Sequence, residues 1–243
     1  MKNFDYDLGK EDLAVIAAQW HNGNSMFDEA AGFIFTGGVL IEKRGLASDL
    51  EGIPGFTEKT VKLNRNPIPA FISSEIQIAV VGRRLRYFAG RGESRVTYPQ
   101  SAYEQAIAEG HRLRGNLQVA CYVKDFDLPI VLSFTGTSSS DMVQQLKRLE
   151  KEALPVTAKN VGDNKQMTMP LRAFWLTLKP APHSLRGSDQ QSEATPPQFG
   201  LPQSFTREWL LERYVGKEPL THFNKIVANP TFNQWLTAWQ GEN

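Results

Sequence analysis

The part of this chain whose residue types best support chemistry lies between positions 83 and 114, where arginines are interleaved with tyrosines. Seven arginines and no lysine occur there against three glutamates, which gives the segment a local net charge of +4. Guanidinium groups bind phosphate through paired hydrogen bonds and stack on flat rings, and aromatic side chains stack on bases of any sequence. This composition favours a groove that binds a single strand of nucleic acid.

The candidate nucleic-acid-binding residues are these arginines, two of the tyrosines between them, and two residues on the strand that follows. They are Arg83, Arg84, Arg86, Tyr87, Arg91, Arg95, Tyr98, Arg112, Arg114, Tyr122 and Lys124. In this hypothesis the arginines hold phosphates, and Tyr87, Tyr98 and Tyr122 stack bases. The alternative is a solvated rim whose rings fill the core and whose arginines pair with surface acids, since such ion pairs are common and individually weak.

Recognisable catalytic and metal-binding motifs are missing from the sequence. It has no HExxH, GxSxG, GxGxxG or zinc-spaced cysteine set, and none of its four histidines forms a motif with a serine or with Cys121. A metal-dependent nuclease would need carboxylates and a lysine at a strand end, and residues 42–44 lack an acidic partner. We predict a protein without enzymatic activity, cofactor or metal, and a nuclease is the third hypothesis.

A second candidate for anion binding is the segment GTSSSD at 136–141, directly before a predicted helix. Helix N-termini present backbone N–H groups that have no partner within the helix, and these bind anions. However, the segment lacks the GK[ST] sequence of a P-loop, and Ser138 with Asp141 matches the capping-box pattern. We therefore interpret it as a helix cap.

Length and composition are those of an ordinary soluble protein with one large or two small domains. The chain has 243 residues and a net charge of +1, so attraction to a polyanion must come from local clustering of charge. The single Cys121 excludes an internal disulfide and fits a reducing compartment. The first residues are acidic where a signal peptide would be basic and then apolar, and no uncharged stretch approaches the length of a membrane span. The expected location is cytoplasmic.

Apolar periodicity predicts the strands and helices that position the basic segment. Residues 10–20 have helical spacing, and residues 32–45 indicate a strand pair that turns at Gly37-Gly38. Alternation at period two over 70–90 predicts a strand that carries the first arginines, with a bulge at Gly82. Residues 101–113 indicate a short helix, which precedes the last two arginines.

A central hairpin follows, with strands over 114–124 and 128–135. Its first strand has an apolar face that contains Cys121 and a polar face that contains Tyr122 and Lys124, which is typical of a sheet packed on one side only. A helix comes next and ends before Pro155, and a strand-like segment covers 166–180. Residues 181–203 are rich in Pro, Ser and Gln and predict a linker, after which two segments have helical spacing.

From residue 72 to 178 the pattern resembles the single-stranded-DNA-binding-like OB-fold proteins of phages, plasmids and cyanobacteria. The resembling stretches are IQIAVVGRRLRYF, the segment around Tyr98-Pro99, GNLQVACYV and LPIVLSFTGTSSSDMVQQL. The resemblance implies a five-stranded barrel that presents basic and aromatic residues on one face and is capped by a helix. The chain ends WLTAWQGEN and departs from the bacterial family in lacking an acidic C-terminal tail, which puts recruitment of repair partners through such a tail in doubt.

The predicted fold is α+β, with an OB-like antiparallel β-barrel core, an N-terminal helix and C-terminal helices. The predicted divisions are an N-terminal helical segment at 1–32, the β-rich core at 33–180, a linker or mobile loop at 181–203, and C-terminal helices at 204–243.

The expected function is binding of single-stranded nucleic acid, DNA before RNA, with little sequence preference, in replication, recombination or repair. The expected partner is a nucleic-acid strand and not a membrane. A structural or scaffolding protein of a mobile element is the alternative. In that case the Trp-rich C-terminal helices contact a second copy or another protein.

Overall fold

The structure is a computed structural model, and it describes residues 16–21, 32–36, 50–63, 66–90, 96–126, 129–161, 165–182, 184–186 and 192–237. Its strands are β1 Ile16–His21, β2 Gly32–Thr36, β3 Thr57–Leu63, β4 Asn66–Ser73, β5 Ile76–Ala89, β6 Val96–Pro99, β7 Arg114–Val123, β8 Pro129–Thr135, β9 Lys159–Val161, β10 Lys165–Met167, β11 Leu176–Pro180, β12 Ser184–Arg186, β13 Ser192–Ala194 and β14 Pro197–Phe199. Its α-helices are α1 Tyr103–Ala108, α2 Thr137–Arg148, α3 Arg207–Leu211, α4 Lys217–Ala228 and α5 Pro230–Thr237.

Ten of these strands form one mixed sheet, so the predicted α+β class is confirmed. The strands lie in the order β14-β11-β5-β7-β8-β1-β2-β4-β3, and β6 pairs with the far end of β5. Parallel pairing occurs between β1 and β8, whereas β5, β7 and β8 are antiparallel neighbours. Among the described strands, β14 and β3 at the two ends do not pair with each other. No closed barrel is therefore seen among the described strands, and the OB-like barrel stays a prediction.

Strand β5 carries the first arginines and contains the predicted bulge. Its register with β7 shifts between Val80 and Gly82, which confirms that prediction. Gly82 also lies under α5, because a Cβ at this position would be 2.8 Å from the Phe232 Cζ and 2.9 Å from the Leu236 Cδ2. The missing side chain lets α5 pack where the apolar half of β5 becomes basic.

Apolar side chains cover both faces of the sheet. On one face, Leu132 packs with Leu146 of α2 in a first core. On the other face, Tyr122 packs with Phe223 of α4 and Phe232 of α5 in a second core. The prediction of a sheet packed on one side only is therefore wrong, because the C-terminal helices cover the face that has the more polar sequence.

The predicted N-terminal helix is wrong over residues 16–20, where the chain forms β1, and residues 10–15 lie outside the described part. β1 pairs with β8 on one side and with β2 on the other. Ala18 and Trp20 are two positions apart and both lie in the first core. This spacing is that of a strand, whereas the helical prediction relied on Ile16, Ala17 and Trp20, and pairing with the distant β8 decides between the two.

The segment predicted as a linker contributes to the sheet near its end. β14 pairs with β11, and Phe199 is buried. Gln145 of α2 holds this strand, because its side chain donates to the Pro197 carbonyl at 3.0 Å and accepts from the Phe199 N–H at 2.7 Å. Residues 183 and 187–191 of the predicted linker lie outside the described part, as does the predicted turn at Gly37-Gly38.

The predicted C-terminal helices are confirmed, and the described part contains three of them where the sequence indicates two. α3 and α5 coincide with the predicted segments, and α4 lies between them. Thr206 caps α3 by accepting from the Trp209 N–H, and the Asn229 side chain accepts from the Thr231 N–H at 2.8 Å. Trp239 lies outside the described residues. No described helix has the length and apolar character needed to cross a membrane.

Candidate nucleic-acid interface

A cleft of about 950 Å³ lies between α2, the second half of β5 and the start of β7. Its cationic lining residues are Arg83, Arg84, Arg86, Arg112, Arg114 and Lys147. Neither aspartate nor glutamate occurs among the described residues that line it. Because its described lining carries six cationic side chains and no carboxylate, the cleft is a candidate site for an anion. Five of the seven predicted arginines and Tyr87 come together here.

Arg83 lies on the face of β5 that α2 covers, because its partner on β7 is the core residue Val119. Its Nη2 forms an ion pair with Glu150 at 2.9 Å. Its Nη1 is buried and has no hydrogen-bond partner among the described residues. Since a partly exposed ion pair contributes little stability, an anion in the cleft can compete with Glu150 for Arg83.

Arg84 and Arg86 lie on the opposite face of β5 from Arg83, and their partners on β7 are Gln118 and Asn116. The Arg84 Nε donates to the Gln118 Oε1 at 2.7 Å. Burial, and then the charge of Arg86, lower the pKa of Arg84 to about 9, so the side chain is charged at neutral pH. Arg86 is only 9% exposed. Both residues are among those that line the cleft.

Tyrosine rings extend the lining on the side of α1. The ring centroids of Tyr87 and Tyr103 are 4.4 Å apart, and both residues line the cleft. Burial, and then the neighbouring Tyr103, raise the pKa of Tyr87, so its phenol is neutral at pH 7. Tyr98 pairs with Tyr87 across β5 and β6, and its ring lies 5.5 Å from that of His111. Tyr98 is thus beside the cleft, next to a residue that lines it.

The start of α2 forms another wall of the cleft, and the predicted capping box is wrong. The helix begins at Thr137, and no side chain caps it. Gly136 precedes it with a φ of 59°, a conformation that favours glycine. The Gly136 N–H donates to the Gly115 carbonyl at 3.0 Å, which brings the helix start against β7. Because the chain enters the helix at Thr137, Ser138 lies inside the first turn and is not its cap.

Seven polar residues of the lining are missing from the set predicted from sequence: Ser101, Tyr103, Thr137, Ser139, Ser140, Gln144 and Lys147. Tyr103 lies in the basic segment and is 39% exposed, so its position among the arginines was a usable signal. For Ser139 the signal is the segment GTSSSD before the helix. Lys147 is distant from the arginines in sequence, and no local pattern connects it with them.

Tyr122 does not present its ring to a ligand, so the prediction that it stacks a base is wrong. It is 1% exposed, and its ring lies 4.9 Å from that of Phe223 on α4. Its hydroxyl is 3.3 Å from the His222 Nε2. The tyrosine belongs to the polar side of the β7 pattern, but α4 covers that side.

Lys124 is exposed but lies apart from the arginines. It follows the last residue of β7, whereas Arg114 is the first, and ten strand residues at about 3.3 Å each separate the two positions by roughly 30 Å. Lys124 lines a smaller cleft of about 270 Å³, together with Glu75 and Asp125. The remaining predicted residues, Arg91 and Arg95, lie outside the described part.

Cys121 also lies apart from the cleft, in the first core, and burial raises the pKa of its thiol. This placement confirms that the cysteine acts as a small apolar core residue. In the described part of the chain, no group of three or more His, Cys, Asp or Glu side chains is arranged to hold a metal ion.

Comparison of the chain with protein-family models, with curated proteins and with solved structures finds no match in any of the three. The resemblance to single-stranded-DNA-binding-like proteins therefore stays a prediction.

Proposed function

We propose that the protein binds single-stranded nucleic acid in the cleft between α2, β5 and β7, with little sequence preference. The observation that carries this proposal is the lining itself, in which five arginines and Lys147 occur beside two tyrosine rings and no Asp or Glu is among the described lining residues. Arginine and lysine hold the sugar–phosphate backbone, and tyrosines stack on bases without reading their identity.

A single strand suits this lining better than a duplex does. Tyr87 and Tyr103 can stack only on bases that are free of their neighbours, and bases inside a duplex are not. The volume of the cleft is that of a ligand pocket, so it holds a few nucleotides rather than a double helix.

Such binding serves processes that expose single strands, which include replication, recombination and repair of DNA. The proposal does not depend on an OB-like barrel, because β5, β7, α1 and α2 already bring the lining residues together.

Fluorescence anisotropy tests the proposal with labelled thymidine and uridine oligonucleotides and a duplex of the same length. We expect micromolar or tighter binding of the single strands at low salt and weaker binding of the duplex. The double variant Arg112→Ala/Arg114→Ala should bind at least about tenfold more weakly, because a hydrogen bond to a charged group contributes about 1.5–3 kcal/mol.

The matched control removes two positive charges that do not line the cleft, in Arg207→Ala/Lys217→Ala. Its affinity should stay close to that of the wild type. The proposal is wrong if micromolar protein binds no single strand at low salt, or if the two double variants lose affinity equally.

A further inference from the structure

We infer that the start of α2 holds one phosphate group of the ligand and that the Ser139 hydroxyl donates to it. This inference deepens the proposed function, and it rests on that function for the source of the phosphate.

The first turn of α2 has free donors and no competing acid. No side chain caps the helix, and its first turn contains no acidic residue. The N–H groups of Ser139 and Ser140 donate to the Gly136 carbonyl, at 3.2 and 3.4 Å, whereas those of Thr137 and Ser138 have no acceptor among the described residues. Free N–H groups and the helix dipole together attract a phosphate.

Ser139 provides a second and independent observation at the same place. The residue lines the cleft and is 2% exposed, yet its hydroxyl has no hydrogen-bond partner in the described part of the chain. Because the residue lines the cleft, its hydroxyl can donate to a group bound there. An oxygen atom of a bound phosphate would be its acceptor.

Gly115 leaves the space in which that oxygen atom fits. A Cβ at Gly115 would lie 3.4 Å from the Ser139 Oγ and 3.9 Å from the Tyr87 Cε1. The gap therefore has the serine hydroxyl on one side and a tyrosine ring on the other. A nucleotide placed there can have its phosphate on α2 and its base close to Tyr87.

The recognised chemistry is a phosphate group, and it has three sources: a phosphodiester within a strand, a terminal phosphate monoester, and free inorganic phosphate. The phosphodiester is the source that we propose. Arg83 and Arg114 both line the cleft, but they lie at different positions along the paired strands β5 and β7. Cationic side chains therefore extend along the cleft beyond the start of α2. A nucleic-acid strand with one phosphate at the start of α2 can place further phosphates on these side chains. A single phosphate group cannot.

Amide NMR of the full-length ¹⁵N-labelled protein, with inorganic phosphate as the probe, tests the inference. Signals of residues 136–139 should shift and saturate with phosphate, and sodium chloride at the same ionic strength should not reproduce the shifts. Ser139→Ala should weaken this binding about tenfold. Gly115→Ala, which fills the gap with a methyl group, should weaken it as well. Ser138→Ala is the control, because Ser138 is buried in the same turn but does not line the cleft.

The inference is overturned if phosphate shifts no signal at the helix start, or if Ser139→Ala and Gly115→Ala both bind phosphate like the wild type. Displacement of phosphate by an oligonucleotide without terminal phosphates supports the phosphodiester. Displacement only by a 5′-phosphorylated one overturns that source in favour of the strand end.

The results of these experiments distinguish the phosphate site at α2 from the proposed binding of single strands. Oligonucleotides that bind without affecting the helix start contradict only the phosphate site. Phosphate that binds there while no oligonucleotide binds contradicts the proposed function and retains the site for a small phosphate-bearing ligand.

Discussion

Arg83 pairs with Glu150 and also lines the cleft, so under the proposed function this ion pair would compete with a bound strand for Arg83. Glu150→Gln should therefore raise the affinity for a single-stranded oligonucleotide by up to about fivefold, since exposed pairs contribute about 0.2–1 kcal/mol. Anisotropy at low salt measures the change.

Glu152→Gln is the matched control for this prediction. It removes the same charge from a pair with Arg148, also at 2.9 Å, and Arg148 does not line the cleft. An equal gain in the two variants would mean that only the overall charge matters, and the competition between Glu150 and the ligand would be disproved.

Tyr103 is the more exposed of the two tyrosines that line the cleft, so in the proposed function it is the better placed to stack on a base. Tyr103→Ala should weaken oligonucleotide binding by about 1–3 kcal/mol, the usual contribution of one stacked base. Tyr214→Ala is the control, because Tyr214 is similarly exposed, at 37%, and lies outside the lining. If titrations show the same affinity for both variants, Tyr103 does not stack on the ligand.

Cys121 makes stability depend on pH, because burial raises the pKa of its thiol while the unfolded thiol ionises near 8.5. Its contribution is complete below about pH 8.5 and is lost as the pH rises further, at up to about 1.4 kcal/mol per unit. In urea unfolding, Cys121→Ala should therefore lose less stability than the wild type between pH 8 and about pH 10. Parallel loss in both proteins would show that the thiol does not cause it.

Arg84 and Tyr122 differ in how well their positions in the structure can be predicted from the sequence. The arginines cluster within the sequence, so their convergence was predictable from composition. Tyr122 lies on the more polar of the two faces of β7, and such an alternation of polar and apolar residues predicts that this face is exposed to solvent. The covering residue Phe223 is distant in sequence, and no pattern within β7 reveals it.

At the scale of elements, β5 positions the arginines through its bulge and through the packing of α5 on Gly82. Gly82→Ala should reduce the free energy of unfolding by about 1–3 kcal/mol, because the new methyl group lies too close to Phe232 and Leu236. Urea unfolding measures the loss.

Gly200→Ala serves as the control for Gly82, since a Cβ at Gly200 meets no atom within 4 Å. It should change stability by less than about 0.5 kcal/mol. If Gly82→Ala is equally neutral, α5 does not pack against the bulge as described.

The elements predicted correctly are those defined by local patterns. The β7–β8 hairpin and the bulge at Gly82 follow from alternation and from a single glycine. The sequence of β1 indicates a helix because Ile16, Ala17 and Trp20 have helical spacing, and the parallel pairing with β8 that makes it a strand is a long-range interaction. The last part of the supposed linker forms β14 for the same reason, since its partners β11 and Gln145 are not neighbours in sequence.

At the scale of the whole molecule, the net charge of +1 produces little long-range attraction for a polyanion. The fold gathers Arg83, Arg112 and Lys147 from separate segments into one cleft. The sequence predicts the arginines of this cleft because they are close together along the chain. It does not reveal the contribution of α2, which depends on how the helix crosses the sheet.

The salt dependence of single-strand affinity tests this account most directly. For three to five phosphates bound by the cleft, log Kobs should fall with log salt at a slope of about −2 to −3.5, because bound phosphates release counterions. Arg112→Ala/Arg114→Ala should make the slope less negative by about 0.7 for each phosphate that the variant no longer binds. Lys124→Ala, beyond the opposite end of β7 from Arg114, should leave the slope unchanged. A slope near zero, or one slope shared by all three proteins, would contradict the assignment of the cleft as the nucleic-acid site.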